Sequence, residues 1–156
     1  MPKTSAGILL FRRPAGALQV LLAHPGGPFW TRKDDHAWSI PKGEFDPEVE
    51  GPSQAAQREL AEEIGASVSG PLVPLSPVKQ PGGKVVHAFA VEQDLDPATL
   101  VSNLFTLEWP PRSGRQQQFP EVDRVAWFSL EVARAKLLVG QLPLLDQLES
   151  LLTGSG

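Results

Sequence analysis

Glu59, Glu62 and Glu63 are spaced so that a helix would gather three carboxylates on one side. At 100° per residue they fall within a sector of roughly 100°, beside an apolar stripe of Ala56, Leu60 and Ile64. Glu59 and Glu63 repel at i,i+4 spacing. Glu62 and Glu63 lie at the C-terminal end, where the helix dipole disfavours negative charge; each effect costs about a few tenths of a kcal/mol. A solvated acidic face with Arg58 paired to Glu62 is the plain reading of such a stripe. A seat for a hard divalent cation is the chemical one. Magnesium takes carboxylate, carbonyl and water oxygens, one or two carboxylates holding each ion beside substrate phosphates. It can polarise a phosphoryl oxygen, hold a nucleophilic water and offset charge on a leaving phosphate. The implied chemistry is hydrolysis of a phosphoanhydride.

The elements that must position these groups are legible around them. The helix should start near Gly51, Pro52 and Ser53, where proline suits a first turn, and stop at Gly65 as a left-handed cap. Thr4 to Phe11 and Leu18 to Ala23 read as strands joined by a Pro-Ala-Gly turn. Leu72 to Val78 and Val85 to Val91 read as a second hairpin around Pro81-Gly82-Gly83. Arg124 to Phe128 reads as a further strand. Ser129 can cap a helix over Leu130 to Val139, and Pro143 to Leu152 forms a last helical segment. Strands interrupted by helices, without doubly wound alternation, give an α/β domain with a mixed sheet covered on both sides. Residues 93–120 carry several prolines, Gly114 and Gln116-Gln117-Gln118, and read as a long loop, either a lid or a plain insertion. No internal repeat is present, and 154–156 read as a flexible tail.

Residues 43–66 resemble the Nudix box, G-x5-E-x7-R-E-U-x-E-E-x-G-U with U aliphatic. Arg58, Glu59, Leu60, Glu62, Glu63 and Gly65 match directly, and Glu50 stands seven intervening residues before Arg58. Ala66 is a small substitute at the last position. Gly43 lies one residue too far upstream, an insertion that falls around Asp46, Pro47 and Glu48, in a loop where length varies most freely. Trp38-Ser39-Ile40-Pro41-Lys42 before the box and Val125-Ala126-Trp127-Phe128 before the late helix extend the resemblance over most of the chain. It implies a Nudix-like alpha/beta/alpha sandwich with a mixed beta-sheet and a loop-helix-loop catalytic motif.

The resemblance also implies roles. Glu59, Glu62 and Glu63 become metal ligands, Glu62 and Glu63 with catalytic weight, and Gly43 contributes a backbone carbonyl, a plain turn glycine being the bland alternative. Glu50 and Arg58 form an ion pair that orients loop on helix. Glu121, six residues before Trp127, matches the family's loop glutamate as general base, with Asp123 behind it; a solvated loop acid is the alternative for Glu121, as for Glu44. Lys42 could set a point charge against a terminal phosphate, with Lys84, Arg32, Lys33 and Lys79 as a phosphate rim; ordinary surface charges are the alternative for all five. Trp38, Trp30, Trp109 and Phe119 are candidates to stack on a base, although such rings are more often core. The cofactor is Mg2+, or Mn2+. Pro41-Lys42-Gly43 resembles the diadenosine polyphosphate and diphosphoinositol polyphosphate branches of the family. Dinucleoside polyphosphates are therefore the favoured substrates. Nucleoside triphosphates including oxidised ones, nucleotide sugars and diphosphoinositol polyphosphates remain open, and a non-catalytic nucleotide-sensing module is the reading from another class.

The 156 residues, 41% hydrophobic, fit one domain with a single core. Zero cysteines exclude disulfide and thiolate chemistry, and the three histidines lack zinc-ligand spacing. A net charge of -4 disfavours long nucleic acid and leaves small anions as partners. Neither a signal peptide nor a bilayer-length apolar run is present, so the expectation is a cytoplasmic protein without membrane contact. Oligomeric state is not written in the sequence.

Overall fold

The computed structural model describes residues 3–153. Strand β1 (Thr4–Arg12) is apolar on both faces because both are covered: Leu9 and Phe11 point into one core, Ala6, Ile8 and Leu10 into the other. It turns through Pro14–Gly16 into β2 (Gln19–Pro25), its antiparallel neighbour. The other edge of β1 runs parallel to β6 (Val85–Glu92) from Thr4↔Val85 to Phe11↔Glu92. A short β3 (Lys42–Glu44) pairs with the start of β1 through Ser5↔Glu44, Ala6↔Gly43 and Gly7↔Lys42. Strand β9 (Val122–Ser129) lies antiparallel to β2.

This is the expected mixed sheet, helical on both sides. Helix α1 (Pro52–Ile64) packs Ala55, Ala56, Leu60 and Ile64 on one face. It ends on Gly65, at φ 72°, whose amide bonds Ala61 O. Helices α2 (Leu130–Lys136) and α3 (Leu142–Thr153) cover the other face through Ala133, Leu144, Leu145 and Leu148. Ser129 Oγ accepts the Val132 amide as the α2 cap.

Three segments differ from the sequence expectation. The second hairpin is divided into β4 (Val73–Pro74) and β5 (Val78–Lys79), each antiparallel to β6; Pro74 and Pro77 cannot donate to a continuous ladder. Helix α2 stops three residues early because residues 36–38 take its terminal carbonyls: the His36 amide donates to Ala135 O and the Trp38 amide to Lys136 O. Residues 93–120 are more regular than a long loop. They hold a turn of 3-10 helix at Pro97–Thr99 and a separate antiparallel ribbon of β7 (Leu104–Glu108) and β8 (Gln116–Pro120). Most of that ribbon is exposed, so its strands lack the apolar alternation that marks a half-buried strand. The expected tail at 154–156 lies outside the described residues. Among the described residues, no helix is long and apolar enough to cross a membrane.

Candidate functional site

The loop entering α1 is organised by Asp46. Its carboxylate accepts the Glu48 amide and its carbonyl accepts those of Val49 and Glu50, so the box loop closes into a turn where the extra residue falls. That turn sets Glu50 beside Arg58, whose Nε donates to both Glu50 oxygens at 3.0 and 3.2 Å. The same guanidinium reaches Glu59 Oε1 at 2.9 Å and Glu62 Oε2 at 3.1 Å. Arg58 is thus the hub of three carboxylates, a wider role than the expected partner of Glu50.

Glu59 is 8% exposed, and Gly43 explains how it fits. A Cβ built on Gly43 would lie 1.9 Å from Glu59 Oε2 and 2.1 Å from Cδ, so only glycine lets β3 approach this carboxylate. Gly43 is accordingly a strand residue at a close contact, and the turn alternative falls away. Its neighbour Lys42 donates its backbone N–H to Glu63 Oε2 at 3.0 Å.

Glu63, Lys42, Trp30 and Glu121 line one cavity of about 200 Å³ whose floor is apolar, with Ile40 and Val122 among its walls. Glu121 occupies the single step between β8 and β9. Its amide donates to Asn103 O and its carbonyl accepts from Gly26. Burial pushes the Glu63 carboxyl up to about 8, outweighing the Lys42 amide and ammonium that favour its ionised form. Burial likewise raises Glu59, against the pull of Arg58, and raises Glu121 with repulsion from Glu62 second. Lys42 is lowered, first by burial and then by the nearby Lys84 ammonium. Arg58 thus serves Glu50, Glu59 and Glu62, the Lys42 amide serves Glu63, and Glu121 faces repulsion from Glu62.

Among the described residues no three acidic or histidine side chains converge as a ready-made metal cluster. Arg58 draws Glu59 and Glu62 to itself. The donor set nevertheless fits a hard divalent cation: every group is an oxygen, the carboxylates are partly buried, and the bare Cα of Gly43 leaves its strand against Glu59.

The remaining expected residues separate clearly. Trp38 is a core residue, 4% exposed, its Nε1 donating to Asp34, with His24 and Phe128 in T-shaped contact and the Arg124 guanidinium over its ring, so it offers no face to a base. Lys84 sits on Glu44 at 3.4 Å, joined by Lys3 at 3.7 Å. Asp123 is bound to His24 Nδ1 at 2.9 Å, which leaves Glu121 as the loop acid facing the cavity. Trp109 packs edge-on against the exposed Phe29, and Phe119 against Phe105. His24 is the residue that spacing arguments passed over. It is fully buried, with Nε2 on Lys33 O at 2.6 Å, and it ties β2 and β9 to the loop that carries Trp30. Its only signal in sequence is a polar residue at the end of an apolar strand.

Comparison with known proteins accords with this geometry. The NUDIX domain model matches residues 1–148. The fold superimposes on the NUDIX domain of Shewanella oneidensis NrtR complexed with ADP-ribose, with a TM-score of 0.66 and 21% identity, covering 98% of this chain and 90% of that one. It also superimposes on a C. elegans Ap4A hydrolase binary complex, with a TM-score of 0.63 and 24% identity over 97% and 98% of the two chains. The E. coli ORF135 protein gives 0.58 and 22% identity over 99% and 94%. No curated protein sequence matches the chain. A family model spanning nearly the whole chain, on the fold those structures share, places this protein in the NUDIX family, a membership that supports a pyrophosphohydrolase enzyme.

Proposed function

We propose that the chain is a divalent-metal-dependent pyrophosphohydrolase that cleaves a phosphoanhydride bond in a nucleoside polyphosphate, with dinucleoside polyphosphates as the favoured substrates. The observation that carries the reading is helix α1 itself, which sets Glu59 against Gly43 and brings Glu63 to the cavity that Lys42 and Glu121 also line. Nudix hydrolases generally use divalent metal ions. Glu59, Glu62, Glu63 and the Gly43 carbonyl would hold the ion, with magnesium the expected species. When bound, it supplies charge neutralisation and polarisation at the phosphate oxygens.

The chain's own groups do the rest. Lys42 places a half-buried ammonium where the phosphate chain enters, its charge supported by Glu63, Glu44 and Glu59. Glu121 faces the cavity from outside the α1 set and accepts the proton of the attacking water; burial raises its basicity towards the pH at which such a transfer is efficient. Arg58 holds the helix carboxylates in register. The apolar floor keeps bulk water from the far side of the site.

Purified protein incubated with magnesium and a panel of diadenosine tetraphosphate, nucleoside triphosphates, nucleotide sugars and diphosphoinositol polyphosphates tests this, with products resolved by chromatography. Metal-dependent cleavage of the dinucleoside polyphosphate is expected. Binding across the panel without cleavage would favour the nucleotide-sensing module instead.

A further inference from the structure

Helix α1 ends in carbonyls that no further helical amide can reach, and one short segment meets two of them. The Val101 amide donates to Ile64 O at 3.2 Å and the Asn103 amide to Glu62 O at 3.1 Å. Gly65 makes room for this crossing. At φ 72° it turns the chain out of the helix, and a Cβ there would come 3.0 Å from both Cβ and O of Val101, so a side chain would press on the segment. Residues 101–103 thus lie across the end of the helix that carries the glutamates, immediately before strand β7.

The same three residues hold Glu121. Asn103 O accepts the Glu121 amide at 2.8 Å. Ser102 Oγ accepts the Val122 amide at 3.0 Å and donates to Asn103 O at 3.2 Å. Two successive amides are therefore gripped by a hydroxyl and a carbonyl that are bonded to each other. Glu121 O is taken in turn by the Gly26 amide at 2.9 Å. The Glu121 amide, its carbonyl and the amide that follows are all committed, and the side chain alone is left to turn. Asn103 is the single residue between the two acids: its N–H meets Glu62 O and its C=O meets the Glu121 N–H. Such a spacer works against a force, because Glu62 repels Glu121 and after burial is the second cause of the raised Glu121 carboxyl.

We propose that Ser102 is a positioning residue that fixes Glu121 at a set distance from the α1 glutamates, with residues 101–103 as the spacer between them. This rests on the reading of Glu121 as the base that takes the proton of the attacking water. The remaining links, through Val101, Asn103 and Gly26, are bonds of the main chain. Ser102 is thus the side chain through which the spacing can be changed without altering a reacting group. Val122 is buried, so water is a poor substitute for the hydroxyl that its amide would lose. The effect belongs to turnover more than to substrate affinity, since Lys42 and the helix glutamates keep their own contacts.

Steady-state kinetics with magnesium, on whichever substrate of the panel wild type cleaves, test this together with amide hydrogen exchange. The proteins are wild type, Ser102→Ala, Ser102→Cys, Ser102→Thr, Glu121→Gln and the double variant Ser102→Ala with Glu121→Gln. Ser102→Ala should lose about ten- to a hundredfold in kcat with KM within about threefold, and should exchange its Glu121 and Val122 amides faster than wild type. Ser102→Thr keeps the hydroxyl and should return kcat to within about threefold. Ser102→Cys, a weak acceptor of the same shape, should fall between, and it gives the same reading should alanine unfold the protein. In the Glu121→Gln background Ser102→Ala should remove no more than about a further twofold, because both changes act through one carboxylate; a general loosening of the fold would multiply the two losses. Wild-type kcat in folded Ser102→Ala, unchanged amide exchange, a loss confined to KM, no recovery in Ser102→Thr, or a full further loss in the double variant would overturn the proposal. Cleavage of no panel member by wild type would instead remove the hydrolase reading itself, and this role with it.

Discussion

Replacing Gly43 with alanine puts a methyl group in space that the Glu59 carboxylate occupies. The added Cβ would lie 1.9 Å from Oε2, 2.1 Å from Cδ and 2.5 Å from Oε1, where ordinary contact begins at 3.4 Å, so something must retreat by about 1.5 Å. Strand β3 cannot easily do so, because it pairs with β1 at three successive positions and lies close on Gly7, where an added Cβ would come 2.5 Å from Pro41 O and 2.6 Å from Lys42 Cβ. The carboxylate moves. Misplacement of a reacting or ligating group by about 1 Å costs around a hundredfold, so kcat on diadenosine tetraphosphate should fall about 10²- to 10³-fold, roughly 3–4 kcal/mol in the barrier. Overpacking should cost about 1–3 kcal/mol of stability, a loss that a thermal melt resolves and a folded domain survives. Steady-state kinetics against magnesium concentration, paired with melts, separate the two effects. In a Glu59→Gln background the same substitution should add little further loss of turnover, since both changes remove one interaction. A folded Gly43→Ala protein with wild-type kcat and wild-type magnesium dependence would mean that the position of Glu59 is irrelevant to catalysis.

Other consequences follow from the same site. Glu121→Gln should lower kcat about 10²- to 10⁴-fold and remove the acid limb of the pH–rate profile; a persistent acid limb would assign the base elsewhere. Glu63, raised to about 8 from 4.5, binds its proton more tightly folded than unfolded. Its contribution is therefore full below pH 4.5 and is lost as pH rises through about 8, an effect bounded at about 5 kcal/mol, so melts in a chelator should show falling Tm across that window. Magnesium, which takes the ionised form, should raise Tm more at the upper end of the window than at the lower; a flat chelated profile would contradict the burial argument. Arg58→Lys retains the charge and loses the fork that serves three glutamates. It should destabilise the fold by about 1 kcal/mol, discounted for the partial exposure of the network, and raise the magnesium concentration needed for half-maximal rate. His24→Ala leaves the Lys33 carbonyl and Asp123 without their buried partner and should cost about 2–4 kcal/mol by denaturant melts.

Much of the machinery was legible because it is local. Helix α1 runs from Pro52 to Ile64 and stops on Gly65 because proline, glycine and the apolar spacing of Ala56, Leu60 and Ile64 agree over one short segment. The Glu50–Arg58 pair is equally a matter of spacing along a loop and a helix. What was not legible depends on contacts between distant segments. Trp38 stands next to the box in sequence, and in space its ring is packed against His24 and Phe128 in the core. Trp30 reaches the cavity only because its loop is fastened to Glu121 and His24, partners far along the chain or hidden in the core. The β7–β8 ribbon escaped because exposed strands need no apolar alternation. Arg58 taking three carboxylates at once could not be foreseen from i,i+4 rules, which offered it Glu62 alone.

The proposed role of the α1 glutamates is metal-dependent hydrolysis. It is tested most directly by release of product from diadenosine tetraphosphate, with and without magnesium, by wild type and by a Glu62→Gln protein shown to be folded by its melt. Magnesium-dependent cleavage by wild type and a loss of orders of magnitude in the variant are expected. Turnover by Glu62→Gln at the wild-type rate, or cleavage by wild type that persists in a chelator, would contradict it.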